Sequence, residues 1–219
     1  MKSLMVTIDA MLWAARAVLP AVSKDDVTPV LTAAEWSVKG DVAVLTATDR
    51  YRVHQVTVPV SEASEGEFLM PRVQLDWIRR NANAYRSPLA RVRVSWSEPE
   101  EGAPVASVLG SGVIRAEVVF GTDELAMQRR PVKGVFPPVA RLFPEGAAEA
   151  GEMAEVYGMN PDFLADLRGL RKGRHEPLRF YSPRLRDGQR LAHPMLVTNA
   201  DGSARALIQP NLLLDGAAS

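Results

Sequence analysis

The chain of 219 residues contains no cysteine, so neither a disulfide framework nor thiolate chemistry is open to it. Histidine is scarce: His54, His175 and His193 are scattered, without the spacing that a structural zinc requires. Neither sign of charge is in excess, because 26 Lys and Arg balance 26 Asp and Glu to a formal charge of zero. A global basic field is thereby excluded, and any contact with a polyanion has to come from local placement of cations. No apolar run approaches the roughly 18 residues of a membrane span. The opening MKSLMVTIDAMLW reaches Asp9 before any long apolar stretch, and the expectation is a cytoplasmic protein without a membrane partner. A phosphate-cradling glycine loop, a nucleophile elbow and a His/Glu pair at helical spacing are all missing. An enzymatic reading is left with Asp49 and with the Asp162/Asp166 pair at i, i+4 spacing. No convergent acid, base and nucleophile surround them, so the expectation is a non-enzyme with no cofactor and no metal.

What is present is ample apolar content, 47% of residues, enough for one or two domains with a core. Residues 4–7 suggest a short strand, Asp9 a helix cap, and AMLWAARAVLP a helix stopped by Pro20. VLTAAEWSV (30–38), a Lys39-Gly40 turn and DVAVLTAT (41–48) read as a hairpin, and YRVHQVTVPV (51–60) as a third strand. After a polar connector at 61–66 the order recurs: FLMP as a strand end, 72–85 as an amphipathic helix, then ARVRVSW, VASVLG and VIRAEVVF as strands. It recurs again after the Gly/Ala/Glu-rich stretch 145–153, with AEVYGM as strand, 160–170 as helix, and PLRFYS, HPMLVTN and ARALIQP as strands around an Asp201-Gly202 turn. Three such units of about 60 to 70 residues imply an internal repeat. Between the second and third, KGVFPPVARLFPEG (133–146) holds three prolines together with the apolar Phe136, Val139, Leu142 and Phe143, which predicts an extended connector packed onto the body.

These features together resemble the bacterial DNA polymerase III beta sliding clamp family. Ala47-Thr48-Asp49-Arg50-Tyr51-Arg52-Val53 is similar to that family's A-T-D-G-H-R-L, and residues 132–144 to its connector V-D-G-R-F-P-D-Y-R-R-V-L-P. Asn160, Phe163, Leu164, Asp166 and Leu167 match the helix opening N-x-x-Y-[VL]-x-D-[VL], and residues 208–213 stand where the family ends V-M-P-M-R-L. The resemblance implies an α+β DNA-clamp fold of repeated strand–helix–strands half-units, about three here. It also implies a clamp domain at 1–135 like the family's middle domain, a proline-rich connector at 136–149, and a C-terminal half-domain at 150–219.

It further implies a cleft for the short linear peptide of polymerases and other clamp-binding proteins. Leu31, Thr48, Arg50, Tyr51, Arg52 and Val53 would come from the first unit, Pro137, Arg141 and Leu142 from the connector, and Asn160, Phe163, Gln209, Pro210, Asn211 and Leu212 from the last. An apolar floor rimmed by hydrogen-bonding groups suits a Leu or Phe anchor. Taken singly, Leu31, Val53 and Phe163 read equally as core, whereas Arg52 and Arg141 gain nothing from an ordinary core. Arg50, Tyr51, Gln209, Asn211 and Leu212 depart from the family's residues, which points to an altered peptide preference.

The helices of such clamps line a central hole and face duplex DNA without reading sequence. Arg16 on the first helix, Arg72, Arg79 and Arg80 on the second, and Arg168, Arg171 and Lys172 on the third would take that role. The alternative is that Arg79-Arg80 and Arg171-Lys172 merely favour helix C-termini through the dipole. The resemblance implies a DNA replication role as a processivity factor and a homo-oligomer, four copies of three half-units supplying the twelve of a clamp ring. The alternative function is a non-ring adaptor or competitor that keeps only the peptide cleft.

Overall fold

The computed structural model describes residues 1–85, 87–97, 112–121, 123–132, 134–144, 157–183 and 193–211. The first unit runs β1 (Lys2–Thr7), α1 (Ile8–Val18), β2 (Ala33–Lys39), β3 (Val42–Thr48) and β4 (Arg52–Pro59). The second runs β5 (Gly66–Pro71), α2 (Arg72–Asn81), β6 (Arg91–Trp96), β7 (Ile114–Phe120) and β8 (Asp123–Arg129). The third contains α3 (Pro161–Asp166), β9 (Arg179–Tyr181), β10 (Met195–Thr198) and β11 (Ala204–Ile208). The strand–helix–strands order is therefore present in the first two units, and the third shows helix then strands among the described residues, with details that depart from expectation. Thr7, not Asp9, caps α1 by accepting from the Ala10 N–H. Leu31 lies on a 3-10 turn, Pro29–Thr32, because Pro29 delays the strand to Ala33. The strand β8 went unread, since its apolar residues Leu125 and Met127 are embedded in a polar run. Of the strands expected from the sequence, 105–110 and 154–156 lie outside the described residues.

All strand pairs are antiparallel and form two sheets, ordered β1-β6-β7-β8 and β5-β2-β3-β4-β11-β10-β9. The lead strands are exchanged: β1 pairs with β6 of the second unit, and β5 with β2 of the first. Phe68 on β5 stacks between Trp36 and Trp96, at 5.4 and 4.6 Å, which joins the inner faces of both sheets. The third unit continues the first unit's sheet through β4 and β11, registered by Val53 opposite Leu207 and His54 opposite Ala206.

One core carries all three units, since Met11 and Val18 of α1, Leu75 and Ile78 of α2, Leu167, Leu170 and Val197 belong to the same buried cluster. Helix α1 is buried on nearly every side, and small residues at Ala14, Ala15 and Ala17 allow that close approach. At Gly169 a Cβ would stand 2.4 Å from the Arg16 carbonyl oxygen, so only glycine lets the turn after α3 lie against the last turn of α1. The connector packs down through buried Phe136 and Phe143 as expected, but Val139–Leu142 form a helical turn. Pro137 and Pro138 precede that turn and remove none of its internal donors.

Beneath α1, β4 buries His54 completely, with Nδ1 2.6 Å from the Ala17 carbonyl oxygen. Burial, partly offset by that carbonyl, pushes the imidazole from 6.5 down to about 4. The folded value lies below the unfolded one, so between them the unfolded chain binds more protons and stability falls as pH falls. Relative to His54→Gln, the wild type should lose about 3 kcal/mol from pH 7 down to pH 4, measured by urea denaturation. A constant difference over that range contradicts this role.

Candidate nucleic-acid interface

The three helices open onto one concavity of about 680 Å³. Nine of its fifteen lining residues are Arg or Lys and two are Asp, in a chain whose formal charge is zero. Each unit contributes to it. Arg16 is the single exposed residue between Met11 and Leu19, in the last turn of α1 where a cation also favours the helix dipole. Arg72 and Arg79 lie with Asp76 along one face of α2, at positions i, i+4 and i+7, while Leu75 and Ile78 take the core face. Arg168, Arg171, Lys172 and Arg174 enter from the turns after α3, brought close by the contact at Gly169.

The cations differ in how they are held. Arg72 donates from Nη1 to the carbonyls of Leu19 and Val22, at 2.8 and 2.6 Å, closing the chain end of α1. Burial, with Arg52 and Arg79 near it, lowers its pKa against the pull of Asp76, and a guanidinium remains charged regardless. Lys172 sits 4.8 Å above the Trp13 ring and pairs with Asp201 at 2.6 Å. Glu176 fixes that loop by accepting the N–H groups of Lys172, Gly173 and Ala200. Burial would raise its carboxyl, but those three donors outweigh it and hold the group below its ordinary value. Among the described residues Arg16, Lys24, Arg168 and Arg174 make neither an ion pair nor a side-chain hydrogen bond, whereas Arg72 and Arg171 donate to carbonyls, which leaves four guanidinium or ammonium groups open to an outside anion.

At one wall stands Arg52, only 8% exposed. Its Nε meets Asp49 at 2.9 Å, Nη1 meets Asp166 at 2.8 Å, and Nη2 donates to the Pro20 carbonyl at 2.6 Å. The guanidinium carbon lies 4.2 Å above the Phe163 ring. Asp49 Oδ1 also accepts the Tyr51 and Arg52 N–H groups, closing the turn in which Arg50 has φ +80. Asp49 and Asp166 are thus engaged as counter-ions, and among the described residues no group of His, Asp and Glu is placed to hold a metal.

Residues 6–137 match the family described as DNA polymerase III beta subunit, central domain. The chain belongs to that family. No curated protein sequence matches it with significance. Two solved structures are similar: the DNA polymerase III beta subunit of Thermotoga maritima and the DNA polymerase sliding clamp of Bacillus subtilis. The first is 14% identical with a TM-score of 0.66 over 98% of this chain, and the second 13% with a TM-score of 0.66 over 97%. The chain spans 66% and 64% of the lengths of those two proteins. At this identity the likeness establishes the sliding-clamp fold.

Of the cations expected to face DNA in this family, Arg16, Arg72, Arg79, Arg168, Arg171 and Lys172 line the concavity, and Arg80 does not. Arg80 is 70% exposed and paired with Asp76. The α-helix ending at Asp166 is continued by a 3-10 turn, Leu167–Leu170, capped by Arg171, so Arg171 and Lys172 stand at a helical C-terminus and the helix-dipole alternative remains open to them. Lys24 and Arg174 were missed; the run Arg171 to His175 was the signal for the second.

The residues expected to form a peptide cleft divide between the two faces of the large sheet. Arg52, Phe163 and the helix cap Asn160 lie on the helix-bearing side, with the concavity. Val53, alternating with Arg52, points to the opposite face, where Thr48, Val53, Leu207, Leu196 and Tyr181 occupy successive strands in one row. Phe143 of the connector closes on Val53 and Leu207 beside Val139 and Leu196, and covers the Arg205 guanidinium at 4.1 Å. Pro137 lies half-buried in that connector, with Arg141 and Leu142 exposed beside it. Leu31 is buried in its turn, close to Thr28, which accepts from Arg50. Gln209 donates to the Tyr51 carbonyl, Pro210 is buried, Asn211 bridges to Gly158, and Leu212 lies outside the described residues. Phe143 and Leu207 went unassigned because both read as ordinary core or connector.

Since Arg52 is held from three segments, Arg52→Ala should lower the unfolding free energy by about 3 kcal/mol. Asp166→Asn, which leaves Asp49 in place and removes a partly exposed carboxylate, should cost about 1 kcal/mol in the same denaturant titration.

Proposed function

We propose that this chain is a sliding-clamp-type DNA polymerase processivity factor. Its concavity bears on duplex DNA through the phosphates, and the opposite face of the large sheet takes a peptide of the polymerase or of other clamp-binding proteins. The observation that carries the reading is the convergence of cations from all three units on one surface of a neutral chain. Guanidinium and ammonium groups without amide side chains among them suit phosphate contact without base reading. Tethering then acts by effective concentration, returning a released polymerase to its template before it diffuses away. A homo-oligomer enclosing the DNA, with residues 1–135 as a clamp domain, 136–149 as connector and 150–219 as a C-terminal half-domain, completes this reading.

Binding of a fluorescent duplex to the full chain across a salt series tests it. Arg16→Glu with Arg168→Glu should weaken binding at low salt by more than tenfold and reduce the salt slope by about 2. Equal binding by wild type and variant removes DNA from the concavity.

The exposed Leu142, next along the chain to Phe143 of the Val53, Phe143 and Leu207 cluster, favours a peptide seat that needs no ring, the adaptor reading. Leu142→Ala should cost about 2 kcal/mol in affinity for a clamp-binding peptide by calorimetry while leaving the melting temperature in place. Unchanged affinity removes that assignment. A monomer at every concentration in light scattering, with peptide binding retained, selects the adaptor over the ring.

A further inference from the structure

The concavity holds an acid that the fold does not require. Asp76 projects from the concave face of α2, 26% exposed, while the helix is anchored through Leu75, Ile78 and the buried amide of Gln74. That amide donates to the Ile114 and Met127 carbonyls at 2.9 Å each, so the seating of α2 on β7 and β8 owes nothing to Asp76. Asp76 instead faces two cations of its own helix. Its Oδ1 accepts from Arg79 Nε and Nη2 at 3.1 and 2.7 Å, and its Oδ2 stands 2.5 Å from Arg80 Nη2.

We infer that Asp76 is a built-in counter-ion that competes with DNA phosphates for Arg79 in the concavity, and for Arg80 beside it on the same helix, and so keeps the grip of this surface weak. The inference rests on the DNA reading above and concerns how strongly the same site holds its ligand. One carboxylate satisfies two guanidiniums at once, and a phosphate approaching either must displace it or meet its charge. Burial would raise the carboxyl, but the bonds and charges of Arg79 and Arg80 outweigh it and keep it below the ordinary range, so it is ionised at neutral pH. Arg79 and Arg80 are exposed enough to turn outward once released, at 43% and 70%. A surface meant to slide gains from this arrangement, because each phosphate contact that forms must also break.

The test is duplex binding by the full chain, as wild type, Asp76→Asn and Asp76→Glu, over a salt series with melting temperatures measured in parallel. Asp76→Asn should bind about fivefold tighter at low salt, with a salt slope steeper by about 1 to 2, as one negative charge is lost and two arginines are released. Asp76→Glu, which keeps the charge and the reach, should bind like wild type. If wild type binds in a salt-dependent way and Asp76→Asn binds equally or more weakly, Asp76 is only an organiser of the helix surface and the inference is overturned. If wild type binds no duplex at any salt concentration, the DNA reading fails and takes this inference with it.

Discussion

A guanidinium that is only 8% exposed dictates much of this structure, because the desolvation of Arg52 is tolerable only where every side of the group is met. The partners come from three places: Asp49 from the turn after β3, the Pro20 carbonyl from the end of α1, and Asp166 from the end of α3. Satisfying one side chain therefore fixes the first helix, the central strand and the third unit with respect to one another. Phe163 supplies the remaining face. The β4–β11 ladder alone would allow the third unit to be joined as a sheet extension, but it would not determine where α3 and its trailing cations lie. The pairing of Arg52 with Asp166, and the backbone approach at Gly169, bring Arg168 and its neighbours to the same concavity as Arg16.

Strand alternation then separates two surfaces. Along β4, Arg52 and His54 turn toward α1, while Val53 and Gln55 turn to the opposite face, where Gln55 meets Thr46 and Arg205. Adjacent residues of a single strand thus belong to a cationic surface and to an apolar row covered by the connector. The short charged stretch 49–53 is dense because both surfaces and the turn between β3 and β4 draw on it. Asp49 has to cap the turn and pair with Arg52 at once, and this leaves it no role as a free base.

Much of this was legible in advance for identifiable reasons. The repeat was visible because β-branched strands and amphipathic helices of the two largest units carry their periods openly, as in residues 42–48 and 72–81. Part of the basic surface was legible because α1 is so uniformly apolar that Arg16 stands out, and because 72 and 79 share a helical face, whereas Lys24 and Arg174 carried no such pattern. What local pattern could not supply was the side of the sheet. Motif order places Arg52, Val53 and Phe163 in one group, whereas the pleat turns Val53 to one face and Arg52 to the other, where Phe163 of α3 meets it. Lead-strand exchange was equally hidden, since β1 and β5 have the same alternation whichever sheet they join. The run containing β8 was unreadable for a different reason: an edge strand paired on one side has little apolar surface to declare.

A formal charge of zero neither supports nor excludes a polyanion, and it suits one that is held loosely. Screening limits an exposed charge to about 10 Å at moderate ionic strength, so a ligand in the concavity responds to the nine cations and two acids around it and hardly at all to the balance of the chain. Acids elsewhere keep the chain neutral without weakening that surface. Within it, carboxylates have a different weight: Asp166 is turned toward a buried arginine that the fold needs, while Asp76 faces exposed ones that it does not. The first is a cost of construction and the second a choice about affinity. On the proposed function the two requirements meet, since a surface that must stay on DNA while moving along it needs enough cations to remain and enough local competition to let each phosphate go.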